Sequence, residues 1–323
     1  MIALPEINCS LVFIVYDAAL EPSLLPDVPR YMVRASEAAK TMDTVLDIEK
    51  WLLENGADRD SLLVGVGGGV VTDLVGLAAS LYLRGIRFGF VPSTLLGMVD
   101  AALGGKNGVN FNGLKNMLGT FSLPEFTIVE PSLLKTLPER EFLCGEAEML
   151  KTFLIGDWEA YDSAIELFSE HKPGSILSSE ALSASLMELV GRARALKTEI
   201  VSRDFREAGE RRKLNLGHTF AHAIEALAAE FGLDIRHGEA VAMGIVLAAE
   251  IAVRRGLAEE DFPEMLRMDF EDCGLPVECP FTVSEMMAAA SHDKKMEGGK
   301  LSLVLPVSIG EVEVESVDLN ELK

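Results

Sequence analysis

Three of the five histidines fall in one short stretch, Leu214-Asn215-Leu216-Gly217-His218-Thr219-Phe220-Ala221-His222 followed by His237-Gly238-Glu239. Neutral imidazole is the commonest side-chain ligand for a catalytic metal, and near neutral pH it also serves as an acid or base. The hydrophobic periodicity predicts a helix from Asn215 to Phe231, on which Asn215, His218 and His222 at i, i+3 and i+7 share one face. Upstream, Gly145-Glu146-Ala147-Glu148-Met149-Leu150-Lys151 supplies a carboxylate and an ammonium one helical turn apart. Glu148, His218 and His237 together would make a zinc site of two imidazoles and one acid, with a position left open for substrate. His218 and His222, at i and i+4, are a second way to hold an ion, although Thr219 stands where the His-Glu-x-x-His motif has its glutamate. The plain alternative is a set of ordinary groups on amphipathic helices.

Two further stretches suit anions. The run Leu62 to Val66 leads into Gly67-Gly68-Gly69 and then an apolar helix containing Asp73, where glycine lets backbone approach a ligand and the helix N-terminus attracts a pyrophosphate. The spacing is not Gly-x-Gly-x-x-Gly, and a simple tight turn explains it equally well. In Gly104-Gly105-Lys106-Asn107, followed by Lys115-Asn116, glycine, lysine and asparagine combine as they do in oxyanion-binding loops. It is not a P-loop, and a solvated loop is the alternative.

The elements that must position these groups differ between the two halves. Leu11 to Tyr16, Arg30 to Val33, Leu62 to Val66, Phe88 to Val91 and Thr127 to Val129 read as strands alternating with helical patterns, which predicts a parallel sheet with flanking helices over residues 1–137. Past Pro138, helical periodicity runs through Glu139 to Ile155, Glu180 to Ser202, Asn215 to Phe231, Glu239 to Arg255 and Asp261 to Cys273, with Gly232, Gly256 and Gly274 as stops. Residues 138–323 therefore read as an all-α domain, with a small hairpin from Leu301 to Leu305 and Val312 to Val314 near its end. A chain of 323 residues exceeds the size at which single cores stop growing, in keeping with two domains.

With 49% hydrophobic residues and no apolar run long enough to span a bilayer, the composition is that of a globular cytoplasmic protein. Cys9, Cys144, Cys273 and Cys279 show no paired spacing, so they read as reduced core residues. A net charge of -22 argues against nucleic acid and anionic membranes as partners. An anionic small molecule remains compatible, since Arg84, Lys106, Lys115, Lys151, Lys197, Arg211, Lys294 and Lys295 can form a local cationic pocket.

Taken in order, these pieces resemble the 3-dehydroquinate synthases of the sugar-phosphate cyclase superfamily. The matching strings are Gly67-Gly68-Gly69-Val70-Val71-Thr72-Asp73, Tyr82-Leu83-Arg84-Gly85, Val91-Pro92-Ser93-Thr94-Leu95-Leu96, Gly104-Gly105-Lys106, Lys115-Asn116, Leu134 to Glu141, Glu148-Met149-Leu150-Lys151, Leu214 to His222, His237-Gly238-Glu239 and Asp293-Lys294-Lys295. The resemblance implies an N-terminal α/β nucleotide-binding domain and a helical C-terminal domain that holds metal and substrate, with the active site between them, in a homodimer. It implies zinc, or cobalt in its place, on Glu148, His218 and His237. His222 is then a catalytic histidine rather than a ligand, in the company of Lys106, Lys151, Asn215 and Glu207. NAD is implied against Gly67, Gly68 and Asp73, with Ser93, Thr94 and Thr136 near its nicotinamide half and Asp17, Glu37 and Lys40 near its adenosine half. Asp100, Lys106 and Lys115 match positions shared between cofactor and substrate. Substrate contacts are implied at Arg84, Asp100, Lys106, Lys115, Asn116, Lys197, Arg211, Asn215 and one or both of Lys294 and Lys295.

The implied reaction turns 3-deoxy-D-arabino-heptulosonate 7-phosphate into 3-dehydroquinate and phosphate, a step of the shikimate pathway. It runs through transient NAD-dependent oxidation at C5, loss of phosphate, re-reduction and intramolecular aldol closure. Three places depart from the family pattern: the segment before Leu11 is brief, Asp17-Ala18-Ala19 carries alanine where an asparagine is expected, and Asn107 replaces a threonine. The nearest rival is a sister cyclase acting on another sugar phosphate; further off lie a metal-dependent polyol dehydrogenase and a non-catalytic binding protein that kept the fold. Lys197, Asn215 and His222 favour the dehydroquinate type, because a carboxylate-bearing substrate needs extra cationic and donor groups.

Overall fold

Strands β1 (Val12–Asp17), β2 (Arg30–Val33), β3 (Leu62–Gly67) and β4 (Arg87–Pro92) form one parallel sheet in the order β2-β1-β3-β4. Alternate residues enter two cores: Phe13, Val15 and Leu63 face one, and Ile14, Leu62, Val64 and Val66 the other. A sheet buried on both faces explains why these strands read as continuous apolar runs. Helices α1 (Met42–Glu54) and α2 (Gly69–Leu81) cover the first face through Val45, Ile48 and Leu52 and through Val71, Leu74, Val75 and Ala78. All four strands were legible in sequence to within a residue or so at each end. Thr127 to Val129, expected as a fifth strand, makes only a single parallel bridge, Thr127 to Phe90. Pro124 and Pro131 flank that segment and lack the N–H groups needed to lengthen the ladder.

The Gly-Lys segment is not a loop. Lys106–Phe111 is strand β5, paired antiparallel with β6 (Leu114–Phe121) around the turn Asn112-Gly113, whose φ values of 50° and 77° give the doubly left-handed hairpin turn. Asn107 is buried, and its amide donates to the carbonyls of Gly105 (3.1 Å) and Ser122 (2.9 Å). Its place in the fold is structural, filling the space left above Gly76 of α2.

The computed structural model describes residues 2–290, 296–297 and 300–318, and divides into two compact units, Met1–Leu137 and Pro138–Lys323. The second unit contains α3 (Glu139–Gly156), α4 (Trp158–Glu170), α5 (Pro173–Ser178), α6 (Glu180–Arg203), α7 (His218–Phe231), α8 (His237–Arg254), α9 (Phe262–Asp272) and α10 (Val283–Ala290). The expected glycine stops are all left-handed, at φ 69° for Gly232, 70° for Gly256 and 81° for Gly274. The unit is mostly rather than wholly helical, because β7 (Met296–Glu297), β8 (Lys300–Ser308) and β9 (Glu311–Asp318) form an antiparallel sheet in which the expected hairpin lies. Among the described residues no helix is long and apolar enough to cross a membrane. All four cysteines are free thiols.

Candidate active site

Helix α7 starts later than its periodicity suggests. Gly217 lies at φ 74°, and a Cβ there would stand 2.8 Å from Ile245 Cγ1 and 3.0 Å from the Val241 carbonyl, so glycine alone admits this close crossing of α8. The left-handed residue breaks the helix. Asn215 therefore ends a short 3-10 turn, Glu210–Asn215, and does not share a helical face with His218 and His222 as expected. Its side-chain amide donates instead to the Glu207 carboxylate, whose backbone is itself left-handed at φ 61°.

From α7 comes His218, from α3 Glu148, and from the first turn of α8 His237, and the three offer ligand atoms that all lie within 4.8 Å of one another. Among the described residues this is the only such group of histidines, cysteines and acids. His237 Nε2 is 3.2 Å and His218 Nε2 3.5 Å from Glu148 Oε1. Ligands held about 2.0–2.2 Å from a tetrahedral zinc ion stand roughly 3.4 Å apart, so these separations are edges of such a coordination shell. Each ring's other nitrogen is also engaged: His218 Nδ1 lies 3.1 Å from the Leu216 carbonyl and His237 Nδ1 3.4 Å from Glu225 Oε1.

Glu148 is fully buried, and no contact to either of its oxygens has ordinary hydrogen-bond geometry. Its compensation is ionic, with Lys151 Nζ, equally buried, 2.5 Å from Oε2. Burial would raise the Glu148 carboxyl, but the Lys151 ammonium and then the imidazoles outweigh it and hold the group well below the usual carboxylate range. For His218, burial and the Lys151 charge act together and keep the ring neutral, the form that binds metal. Burial opposes charge on His237 as well, yet the Glu148 and Glu225 carboxylates overcome it and push the ring up to about 10. An anionic carboxylate whose oxygens lack hydrogen-bond donors of ordinary geometry, flanked by two oriented rings that can ligate once His237 gives up its Nε2 proton, is a donor set that fits a divalent cation.

Around this centre, His222 stands one turn along α7 from His218, ring centroids 5.6 Å apart. Lys197 on α6 and Arg211 on the 3-10 turn are both buried. Asp204 builds the loop that carries Arg211 and Glu207, accepting from the backbone N–H groups of Ala208 (2.9 Å), Gly209 (2.7 Å) and Arg211 (3.1 Å). The turn Glu210–Asn215 packs against α3 and α6. Lys294 and Lys295 lie outside the described residues.

Two features of this candidate metal site escape the sequence reading. One is Glu225, for which a signal existed in its i+7 spacing from His218. The other is Arg140 at the start of α3, whose guanidinium donates through Nε and Nη2 to both oxygens of Glu239 (2.6 and 2.8 Å) and through Nη1 to Asp234 (2.7 Å). That fork ties the start of α8 to α3. A Cβ on Gly238 would fall 2.3 Å from Cys144 Cα, so the two helices meet backbone to backbone beside His237.

In the unit Met1–Leu137 five of the expected cofactor residues stand at the carboxyl ends of the parallel strands. Asp17 ends β1, Gly67 ends β3 and Gly68 caps α2, while Ser93 and Thr94 follow β4; the Ser93 N–H donates to the Gly67 carbonyl (3.0 Å). The strand order reverses between β1 and β3, and ligands of open α/β sheets bind at that switch point. Asp17 Oδ1 accepts from the Ala19 N–H (3.0 Å), so the turn forms with alanine in place of the expected asparagine. Thr136 ends a 3-10 turn, Pro131–Thr136.

A second group is a polar network. The Lys40 ammonium pairs with Asp73 and donates to Asn116 Oδ1 (2.6 Å), and Asn110 Nδ2 donates to Glu37 Oε1 (2.7 Å) while its Oδ1 accepts from the Asn116 N–H (2.9 Å). Burial raises the Asp73 carboxyl in spite of Lys40. Lys106 and Lys115 are exposed on β5 and β6, Asp100 lies on a π-helical turn, Gly97–Ala101, and Arg84 at φ 69° follows Leu83 at φ 51°.

Comparison with known proteins agrees with this geometry. Residues 30–144 match the family described as 3-dehydroquinate synthase N-terminal, and residues 145–296 match 3-dehydroquinate synthase C-terminal. The chain is 42% identical to a 3-dehydroquinate synthase of Pyrococcus furiosus over 89% of its length and 80% of that protein's. For a counterpart in Thermococcus kodakarensis the figures are 42%, 91% and 80%. Among solved structures, a 2-epi-5-epi-valiolone synthase from Streptomyces hygroscopicus with NAD+ and Zn2+ bound superposes with a TM-score of 0.86 at 30% identity, covering 100% of this chain and 96% of the other. A 2-deoxy-scyllo-inosose synthase complexed with carbaglucose-6-phosphate, NAD+ and Co2+ gives 0.82 at 25% identity, covering 99% and 90%. With both family regions matched and the acid and two imidazoles converging in its helical unit, the chain belongs to the 3-dehydroquinate synthase family.

Proposed function

We propose that the protein converts 3-deoxy-D-arabino-heptulosonate 7-phosphate into 3-dehydroquinate and phosphate, within aromatic amino acid biosynthesis. The observation that carries this reading is the convergence of Glu148, His218 and His237 at tetrahedral-edge separations, in a chain about 40% identical to several 3-dehydroquinate synthases. Residues 1–137 would bind NAD and residues 138–323 the metal and substrate. When bound, NAD+ takes up and returns a hydride at C5, and a divalent zinc or cobalt ion on Glu148, His218 and His237 supplies Lewis acidity there.

The chain's own residues do the rest. Lys151, buried beside Glu148, places a fixed positive charge where negative charge develops on a substrate oxygen. His222 is the group within reach of the centre suited to moving a proton near neutral pH. The C5 ketone acidifies the proton at C6, whose loss expels phosphate, with the departing phosphate serving as its own base. Arg84, Lys106, Lys115, Asn116, Lys197, Arg211 and Asn215 are the cations and donors we assign to the carboxylate and phosphate, Asp100 to a substrate hydroxyl, and Glu207 to orienting Asn215. Ring closure needs mainly confinement of the opened product.

Protein supplied with zinc and NAD+ should release phosphate from the heptulosonate phosphate without accumulating NADH. Accumulating NADH would mark a dehydrogenase. Turnover of sedoheptulose 7-phosphate in its place would mark a sister cyclase, the second reading that the match to the valiolone synthase keeps in view. We also propose a homodimer, supported by the exposed apolar side chains Phe111, Leu114, Leu118 and Phe121 on the β5–β6 hairpin, and a cytoplasmic setting, consistent with four free thiols.

A further inference from the structure

His237 is the ligand least held by packing. It is the first residue of α8, its side chain is 34% exposed against 13% for His218, and the Arg140 clamp acts on Glu239 and Asp234 rather than on the ring. A half-turn about the Cβ–Cγ bond would put the ring carbons Cδ2 and Cε1 where Nδ1 and Nε2 now stand, so something must hold the ring in the orientation that presents Nε2 to Glu148. For His218 the main chain decides, through the Leu216 carbonyl 3.1 Å from Nδ1. At His237 the corresponding place is taken by a side chain. Glu225 Oε1 lies 3.4 Å from Nδ1, at the long edge of hydrogen-bonding range, while Nε2 on the far side of the ring is 3.2 Å from Glu148 Oε1. Glu225 is 9% exposed and lies on the stripe of α7 that carries His218 and His222, at i, i+4 and i+7.

We propose that Glu225 is a positioning residue for the metal centre: it accepts the Nδ1 proton of His237, fixing the ring's plane and tautomer so that Nε2 is presented to the ion. The inference rests on the metal-centre reading above. It assigns the stripe of α7 three tasks in succession, ligand at His218, proton transfer at His222 and orientation of a ligand from another helix at Glu225. A carboxylate in that place also makes the imidazole a stronger donor to a cation.

The test is zinc affinity, measured on the full chain by competition with a chromophoric chelator, independent of turnover. Glu225→Met fills the same space with a good helix former but offers no acceptor; Glu225→Gln keeps an amide oxygen for the Nδ1 proton; Glu230→Ala removes an exposed acid from the same helix. Glu225→Met should weaken zinc binding about 10–100-fold, the usual loss when a partner of a ligating histidine is removed. Glu225→Gln should recover most of that loss, and Glu230→Ala should match the parent. In cobalt-loaded protein, the visible absorption bands should move in Glu225→Met and return in Glu225→Gln. Parental affinity in Glu225→Met overturns the proposal, and so does an equal loss in the Met and Gln variants, which would point to charge or packing instead of the accepted proton. A parent protein that takes up no zinc would sink the metal-centre reading itself, an outcome distinct from either.

Discussion

Glu148 shows why residue types and spacing made a candidate metal site legible in the sequence. A carboxylate stripped of water is costly unless a positive charge stands beside it, and Lys151 one turn on, with imidazoles opposite, is the arrangement that makes it tolerable. Glu148→Gln or His237→Ala should therefore lower turnover by about three orders of magnitude or more, since the Lewis acidity lost is worth several kcal/mol of barrier. Steady-state rates and circular dichroism check this together: native secondary structure with undiminished rate in either variant would refute the ligand assignment. The position of Asn215 was less legible. Helical periodicity puts its side chain on the His218 face, but a single left-handed glycine at 217 ends that periodicity, and the crossing of α8 that demands the glycine lies elsewhere in the chain. Glu225 was missed for a related reason, because what it meets is a ring from another helix.

At the scale of elements, α3 is a helix with two unlike faces. Glu148 and Lys151 face the proposed metal site, whereas Glu146 is buried near Cys273 of the α9 end with one oxygen lacking a hydrogen-bond partner, and burial raises its carboxyl well above the usual value. The folded state holds this group protonated where the unfolded chain would ionise it. Its stabilising contribution is fully present below an unfolded value of about 4.3 and is lost as pH rises toward the raised folded value. Glu146→Gln, neutral throughout, should raise the melting temperature at pH 7 by about 2–4 °C per kcal/mol recovered, with the gain shrinking as pH falls toward 5. A gain that grows on acidification would contradict this sign. The contact of α3 with α8 gives a second expectation. Gly238→Ala forces backbone apart beside Cys144, one turn from Glu148, and should cost about 1–3 kcal/mol in stability while weakening zinc binding. Melting curves with and without the ion would show both effects. Buried strands and most of the long amphipathic helices are legible in the sequence, but α4 is not among the expected helices, and neither is the β5–β6 hairpin, since β6 leaves most of its residues exposed and lacks a clean alternation; the Asn112-Gly113 turn was the signal available.

For the whole molecule, a net charge of -22 has to coexist with the proposed anionic substrate, so its recognition would depend on cations gathered locally, such as the buried Lys151, Lys197 and Arg211. The proposed homodimer can be tested directly by sedimentation. Parent protein should sediment at twice the monomer mass, and Leu114→Asp combined with Phe121→Asp should shift it toward monomer, whereas a monomeric parent would remove the idea. The three donors arise far apart in the chain. Glu148, His218 and His237 belong to three different helices, and no short piece of chain carries all of them. An ion captured there is a rivet through α3, α7 and α8, so its uptake is a readout that those helices have docked, and a partly synthesised or misfolded chain would lack the grip to retain it. Stripping the ion should correspondingly loosen the assembled helices first where α8 meets α3 and α7.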